Sequence, residues 1–279
     1  MQKKMDKSID VLEEGYQVNP RSAPIFSGLI QFYIFQKKFD AAIAACEERI
    51  QMNSKDAFSY NLLGKVYGVQ KNYIKAENAF QKAVDIQPMW PEPNNNLARL
   101  YLIQGKRQEA VEKFESSLKA NPKNPAAYLS LGYIYQQSGE TKKAIIIYEK
   151  ALENNPNLWV AANNLAVLLS EDSDSEADLE KALELAKRAH TLRFGEPTVQ
   201  DTLGWVYYKI GEMNQALSFL EEALSGAPEN PIFNYHLGMA LYKSGRPDEA
   251  KEKLVKALEG TDSFEGREEA EAVLKELSV

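Results

Sequence analysis

Apolar residues in this chain do not alternate one-on, one-off. They recur at spacings of three and four, and the whole pattern returns after 34 residues. In the stretch 57–90, Tyr60, Leu63 and Tyr67 form one helical stripe, Ala76, Phe80 and Ala83 form a second, and Pro88 closes the segment. A shift of 34 gives Asn94, Leu97, Tyr101, Ala110, Phe114, Ser117 and Pro122; a second shift gives Tyr128, Leu131, Tyr135, Ala144, Tyr148, Ala151 and Pro156. The frame recurs in Leu203, Tyr207, Ala216, Leu220, Ala223 and Pro228, and again in Leu237, Leu241, Ala250, Leu254 and Ala257. An earlier copy reads Phe26, Leu29, Tyr33, Ala42 and Cys46. The spacing predicts pairs of amphipathic helices and an all-α chain.

Small residues fall where two such helices must nest. Gly64, Ala98, Gly132, Ala166, Gly204 and Gly238 each follow the leucine of a first helix. The alanines at 42, 76, 110, 144, 182, 216 and 250 answer from the second helix. Pro88, Pro122, Pro156 and Pro228 end one pair, because proline cannot continue a helix. Pro91, Pro125, Pro197 and Pro231 open the next at its first turn, where a missing N–H costs nothing. Gly105, Gly139, Gly211 and Gly245 stand between the two helices, where a left-handed residue closes the first.

Aromatic-x2-Leu-Gly-x2-Tyr, then Ala-x3-Phe, then Pro, resembles the tetratricopeptide repeat over nearly the whole chain. The resemblance implies a right-handed superhelical solenoid of antiparallel helix hairpins. Units are expected at 23–56, 57–90, 91–124, 125–158, 159–196, 197–230 and 231–264. The fifth is four residues too long between its helices. Residues 1–22 read as a second helix alone, with Leu12, Gly15 and Pro20 in late positions. That favours the C-terminal portion of a longer array over a lone capping helix. Residues 265–279 read as a solvating end helix with a stripe of Ala270, Val273, Leu274 and Leu277.

Composition narrows the chemistry. The formal charge is −7, from 40 acids against 33 bases, which argues against nucleic-acid binding through the overall field. The single cysteine, Cys46, allows no internal disulfide; it fits a reducing compartment without requiring one. No run of about 18 apolar residues suggests a membrane span, and the Met1–Lys7 start lacks a secretory apolar stretch.

The resemblance also implies where a partner sits. In that family the first helices line a concave groove. Here they would present Asn61 and Lys65; Asn95, Asn96 and Arg99; Tyr133 and Gln137; Asn163 and Asn164; Trp205 and Tyr208; and Tyr235, His236 and Tyr242. Each asparagine amide offers a donor and an acceptor, suited to the backbone of an extended peptide. Lys65 and Arg99 could grip a carboxylate. Trp205, Tyr208, Tyr235 and Tyr242 make an aromatic strip suited to apolar anchors.

Enzymatic chemistry finds little support. The two histidines, His190 and His236, are far apart in sequence, and no phosphate-binding glycine loop occurs, so no catalytic residue, metal or cofactor is expected. His190 reads as structural or solvated, and Cys46 as a packing residue. The acidic insert from Glu171 to Glu180 lacks the glycine and final glutamate of a calcium loop, and reads as a solvated turn before a helix.

The sequence therefore points to a non-catalytic scaffold that holds a protein or peptide segment. Short strings (Asp201–Trp205, Tyr235–Gly238, Arg267–Ala270) are similar to the C-terminal ends of bacterial envelope and exopolysaccharide-system repeat proteins. They imply an adaptor in an envelope or secretion assembly, with a periplasmic or envelope-associated parent and the cytoplasm as the alternative. A self-assembling scaffold and a regulatory domain cut from an enzyme are the rival readings.

Overall fold

The computed structural model describes residues 11–171, 175–259, 264 and 266–278. All regular structure among them is helical. Residues 11–18 are helical (α1). The rest follow as α2 (Ala23–Phe35), α3 (Phe39–Met52), α4 (Ala57–Val69), α5 (Tyr73–Ile86), α6 (Pro91–Ile103), α7 (Arg107–Ala120) and α8 (Pro125–Gln137). Then come α9 (Thr141–Asn154), α10 (Trp159–Glu171), α11 (Glu176–Leu192), α12 (Pro197–Ile210), α13 (Met213–Gly226), α14 (Pro231–Lys243), α15 (Pro247–Leu258) and α16 (Arg267–Glu276).

The chain divides into two compact units, Met1–Ile134 and Tyr135–Val279. In the first, α2 packs on α3, α4 on α5 and α6 on α7, and the second helices α3 and α5 pack on the first helices α4 and α6 that follow them. First helices also touch their successors, α2 on α4 and α4 on α6. The second unit repeats this logic with the pairs α10–α11, α12–α13 and α14–α15.

Local sequence explains the joints. The Asp56 side chain accepts from Ser59 N at the start of α4, and the Asn72 side chain from Lys75 N at the start of α5. Asn230 accepts from the N–H groups of Ile232 and Phe233 at α14. Gly105, Gly139, Gly211 and Gly245 adopt φ between 68° and 89° in the hairpin turns, as their spacing predicts. The first two hairpins depart from that rule. Lys37 and Lys71 hold the same left-handed turn at φ 58° and 60°.

The small-residue slots are tight. A Cβ on Gly64 would come within 2.5 Å of the Phe80 ring. One on Gly204 would meet Leu220 Cγ at 2.7 Å and its backbone N at 3.0 Å, and one on Gly238 would meet Leu254 Cδ2 at 2.7 Å. Around these contacts Phe26, Ile30, Ala42, Cys46, Leu62 and Val66 form a core in the first unit. Leu220, Leu237, Ala240, Leu241 and Ala250 form one in the second. Each large side chain so buried contributes roughly 1.5–3 kcal/mol.

The insert of the fifth hairpin is largely absorbed as helix. α11 has 17 residues, against 14 in α5, α7, α9 and α13. Glu176 and Asp178 occupy its first turn, favourable to the helix dipole. Asp172, Ser173 and Asp174 of the acidic stretch lie outside the described residues, as do residues 1–10.

The end helix is more than a solvating cover. Tyr235 Oη donates to Glu269 at 2.6 Å and Tyr242 Oη to Glu276 at 2.6 Å, and each pair is 34 residues apart. That separation is the repeat length, so α16 lies against α14 as a further first helix in register. Ala270 and Val273 are its buried residues. Gly266, at φ 92°, passes so close to Tyr235 that an added Cβ would sit 2.2 Å from Cζ.

Candidate functional site

First helices carry the candidate residues, and the structure links them sideways from one helix to the next. Asn96 Nδ2 donates to Asn61 Oδ1 at 2.8 Å, a pair 35 residues apart. Asp201 and His236, also 35 apart, occupy the same two slots in the second unit. His236 Nδ1 lies 2.9 Å from each oxygen of Asp201. These lateral bonds had no signature in the helical periodicity. The 35-residue offset between polar residues was the signal that could have revealed them.

In the unit Met1–Ile134, Asn61, Asn95 and Asn96 are buried. Asn61 is only 1% exposed, yet its Nδ2 has no hydrogen-bond partner, and neither has Asn95 Oδ1. A buried donor and a buried acceptor thus stand idle on adjacent helices. Lys65, expected to grip a carboxylate, already pairs with Glu92 at 2.6 Å; both side chains are about half exposed, so the pair is worth little. Arg99 is exposed and has no ion pair among the described residues. Tyr133 is exposed on α8, as is Gln137, which belongs to the second unit.

The unit Tyr135–Val279 is more closed. Asn163 is buried with its Oδ1 unpartnered. Asn164, expected to face a ligand, instead donates to Tyr148 Oη at 3.2 Å. The aromatic strip is assembled but partly covered. Trp205 is 5% exposed and Tyr235 3%. Both belong to a cluster that includes Ala270 and Val273 of α16.

Trp205 stacks on His236 at 4.0 Å between centroids and on Tyr208 at 4.6 Å. Its Nε1 is buried without a partner. Tyr208 and Tyr242 remain partly exposed. Burial, then the Glu269 carboxylate, raises the Tyr235 hydroxyl pKa far above that of a free phenol. The Tyr242 hydroxyl is raised first by its hydrogen bond to Glu276. Both tyrosines are therefore neutral hydrogen-bond donors at physiological pH.

The remaining candidates are structural. His190 packs edge-on between Phe194 and Phe219, at 5.3 and 5.4 Å. Cys46 is fully buried, and desolvation pushes its thiol up to about 12. Among the described residues no cluster of His, Cys, Asp and Glu could hold a metal ion. No described helix is long and apolar enough to cross a membrane.

Family profiles described as tetratricopeptide repeat match residues 59–88, 95–158, 147–185 and 207–261, together more than half of the chain. The chain belongs to the tetratricopeptide repeat family. A search of curated protein sequences finds no match.

Solved tetratricopeptide structures share the fold. A chain of the APC/C hetero-tetramer Cut9-Hcn1 is 15% identical with a TM-score of 0.66; the match covers 98% of this chain and 52% of that one. This chain thus spans about half that neighbour's length. PilF of Pseudomonas aeruginosa is 17% identical with a TM-score of 0.61, covering 81% of this chain and 99% of its own. YrrB, described as a tetratricopeptide protein with an unusual peptide-binding site, is 20% identical with a TM-score of 0.55, covering 72% and 98%. Tetratricopeptide arrays are protein–protein interaction scaffolds, and this one has the hairpin architecture for that role.

Proposed function

We propose that this chain holds an extended segment of a partner protein along the first-helix face, chiefly in the unit Met1–Ile134. One observation carries the reading. Asn61 Nδ2 and Asn95 Oδ1 are buried and unpartnered, and a native fold rarely leaves both a donor and an acceptor idle. A peptide backbone supplies the matching C=O and N–H once the two amide side chains rotate outward to meet it. Arg99 stands exposed on the same helix as Asn95 and would take an acidic side chain or a terminal carboxylate. The helices are packed before the ligand arrives, so binding costs the receptor little ordering.

A random peptide display library panned against the intact chain tests this. The selected peptides should bind the double variant Asn95→Ala, Arg99→Ala about five- to tenfold more weakly, the loss of one or two hydrogen bonds. Unaltered affinity in that variant, with helicity preserved, would remove the site.

The setting we propose is an adaptor in a bacterial envelope or secretion assembly. Support comes from the strings at Asp201–Trp205, Tyr235–Gly238 and Arg267–Ala270. Fractionation of the native protein checks it, and a wholly cytosolic distribution counts against it.

A further inference from the structure

Arg49, near the end of α3, stands in a slot that every later hairpin fills with a small residue. Allowing for the insert in the fifth, these are Ala83, Ser117, Ala151, Ala189, Ala223 and Ala257. Cys46, one turn earlier, stands where Phe80, Phe114, Tyr148, Leu220 and Leu254 stand, which leaves room for the longer side chain. The Arg49 guanidinium lies over the Phe26 ring at 4.4 Å. Its Nε and Nη2 both donate to Asp56 Oδ2, at 3.1 and 3.0 Å. Stacking covers the face of a guanidinium, and the N–H groups in its plane still need acceptors. Nη1 is buried and has none. The Asp56 carboxylate meanwhile also accepts from Ser59 N and Oγ.

Two repeats on, the same pair of slots is satisfied without any charge. Ser117 Oγ accepts from Asn124 Nδ2 at 2.8 Å and donates to Pro91 O at 3.3 Å. The hairpin therefore does not call for an arginine at this slot. Arg49 and Asp56 line a cleft of about 670 Å³ together with Pro20, Arg21 and Met52. The cleft lies at the connections from α1 to α2 and from α3 to α4, outside the row of first-helix candidates. Its size falls within the roughly 300–1,000 Å³ of small-molecule sites. Arg21 is exposed and has no ion pair among the described residues. Two guanidinium groups against one carboxylate leave the cleft with one uncompensated positive charge.

We propose that this cleft binds a small organic monocarboxylate. A small rotation of the guanidinium brings Arg49 Nη1 to one carboxylate oxygen, and the exposed Arg21 side chain closes on the other. Leaving a buried charged donor unmatched is costly, so the missing acceptor is the strongest call the site makes on a ligand. A single positive charge suits a single carboxylate, and a phosphate dianion would exceed it. Pro20 and Met52 offer the apolar body of the ligand a wall. The cleft shares no residue with the asparagine face and does not depend on it.

Phenylacetate serves as the probe, titrated against the full chain and followed by saturation-transfer NMR. It should bind at least about tenfold more tightly than phenylacetamide, which has the same shape without the charge. It should also bind more tightly than inorganic phosphate. Arg49→Lys keeps a cation beside Asp56 but loses the planar fork, and should weaken binding at least about tenfold. Arg21→Gln changes an exposed side chain, so it should weaken binding about three- to tenfold with no change in melting. Asn95→Ala with Arg99→Ala should leave this affinity untouched, which separates the cleft from the asparagine face. The tripeptide N-acetyl-Gly-Gly-Phe carries the same carboxylate on a chain end, and should bind more weakly than the free acid. Equal binding of the amide, full affinity in Arg21→Gln, or tighter binding of phosphate or of the tripeptide would each overturn the proposal.

Discussion

The two units fill the same pair of slots with different chemistry. Asn61 and Asn96 share one neutral hydrogen bond in the first, and Asp201 and His236 meet through a carboxylate and a ring nitrogen in the second. The amide pair leaves Asn61 Nδ2 idle. In the other pair both carboxylate oxygens reach the imidazole, and the ring stacks on Trp205 at 4.0 Å. One solution keeps hydrogen-bonding capacity available, and the other consumes it internally. α16 then covers Tyr235 in the second unit. The same pair of slots can thus leave an amide donor unused between two first helices or engage both partners fully, according to two side chains.

Substitutions can break this contrast. His236→Ala should cost about 2–3 kcal/mol, because Asp201 stays buried without its charged-group hydrogen bond. Chemical denaturation measures it, and a loss below about 0.5 kcal/mol would mean the pair is ornamental. The helix-nesting slots should also differ. Alanine gains about 1 kcal/mol of helix propensity over glycine. At Gly204 the new Cβ would stand 3.0 Å from the backbone N of Leu220, which cannot swing aside, so overpacking wins by about 1–2 kcal/mol. At Gly64 the close atoms all belong to the Phe80 side chain, and Ala98 already occupies the equivalent slot one repeat on. Gly64→Ala should therefore be nearly neutral in a thermal melt, and an equal cost at both sites would refute the distinction. Asn96→Ala should cost only about 1 kcal/mol, since the bond it removes is neutral. Comparing its denaturation midpoint with that of His236→Ala ranks the two pairs directly.

Much of the fold was legible because the repeat writes each contact several times. Leu63, Gly64, Ala76 and Phe80 announce one nested hairpin, and their shifted copies announce the rest. The turn glycines were legible for the same reason. Lys37 and Lys71 were not read as left-handed, although a shift of 34 from Gly105 lands on Lys71 and another on Lys37. The candidate face was legible only in part. Register told which residues sit on first helices, but not which of them their neighbours would use up. Asn164 turns to Tyr148, Lys65 to Glu92 and Tyr235 to Glu269. Each partner lies on another helix, so a reading confined to one hairpin missed it. The segment 265–279 was read as a solvating cover because its composition is charged. Its hydrogen bonds to α14 depend on spacing rather than composition.

The lateral bonds bear on how such arrays change length. Asn61 finds its acceptor-to-donor match on the following first helix, and so does Asp201. Excising a hairpin that carries Asn61, Asn96, Asp201 or His236 would therefore strand a buried polar group on the neighbour that remained, even if every apolar stripe realigned. Viable insertions and deletions would have to carry matched halves of these pairs across the cut, so the heritable module spans a junction between hairpins instead of one hairpin alone.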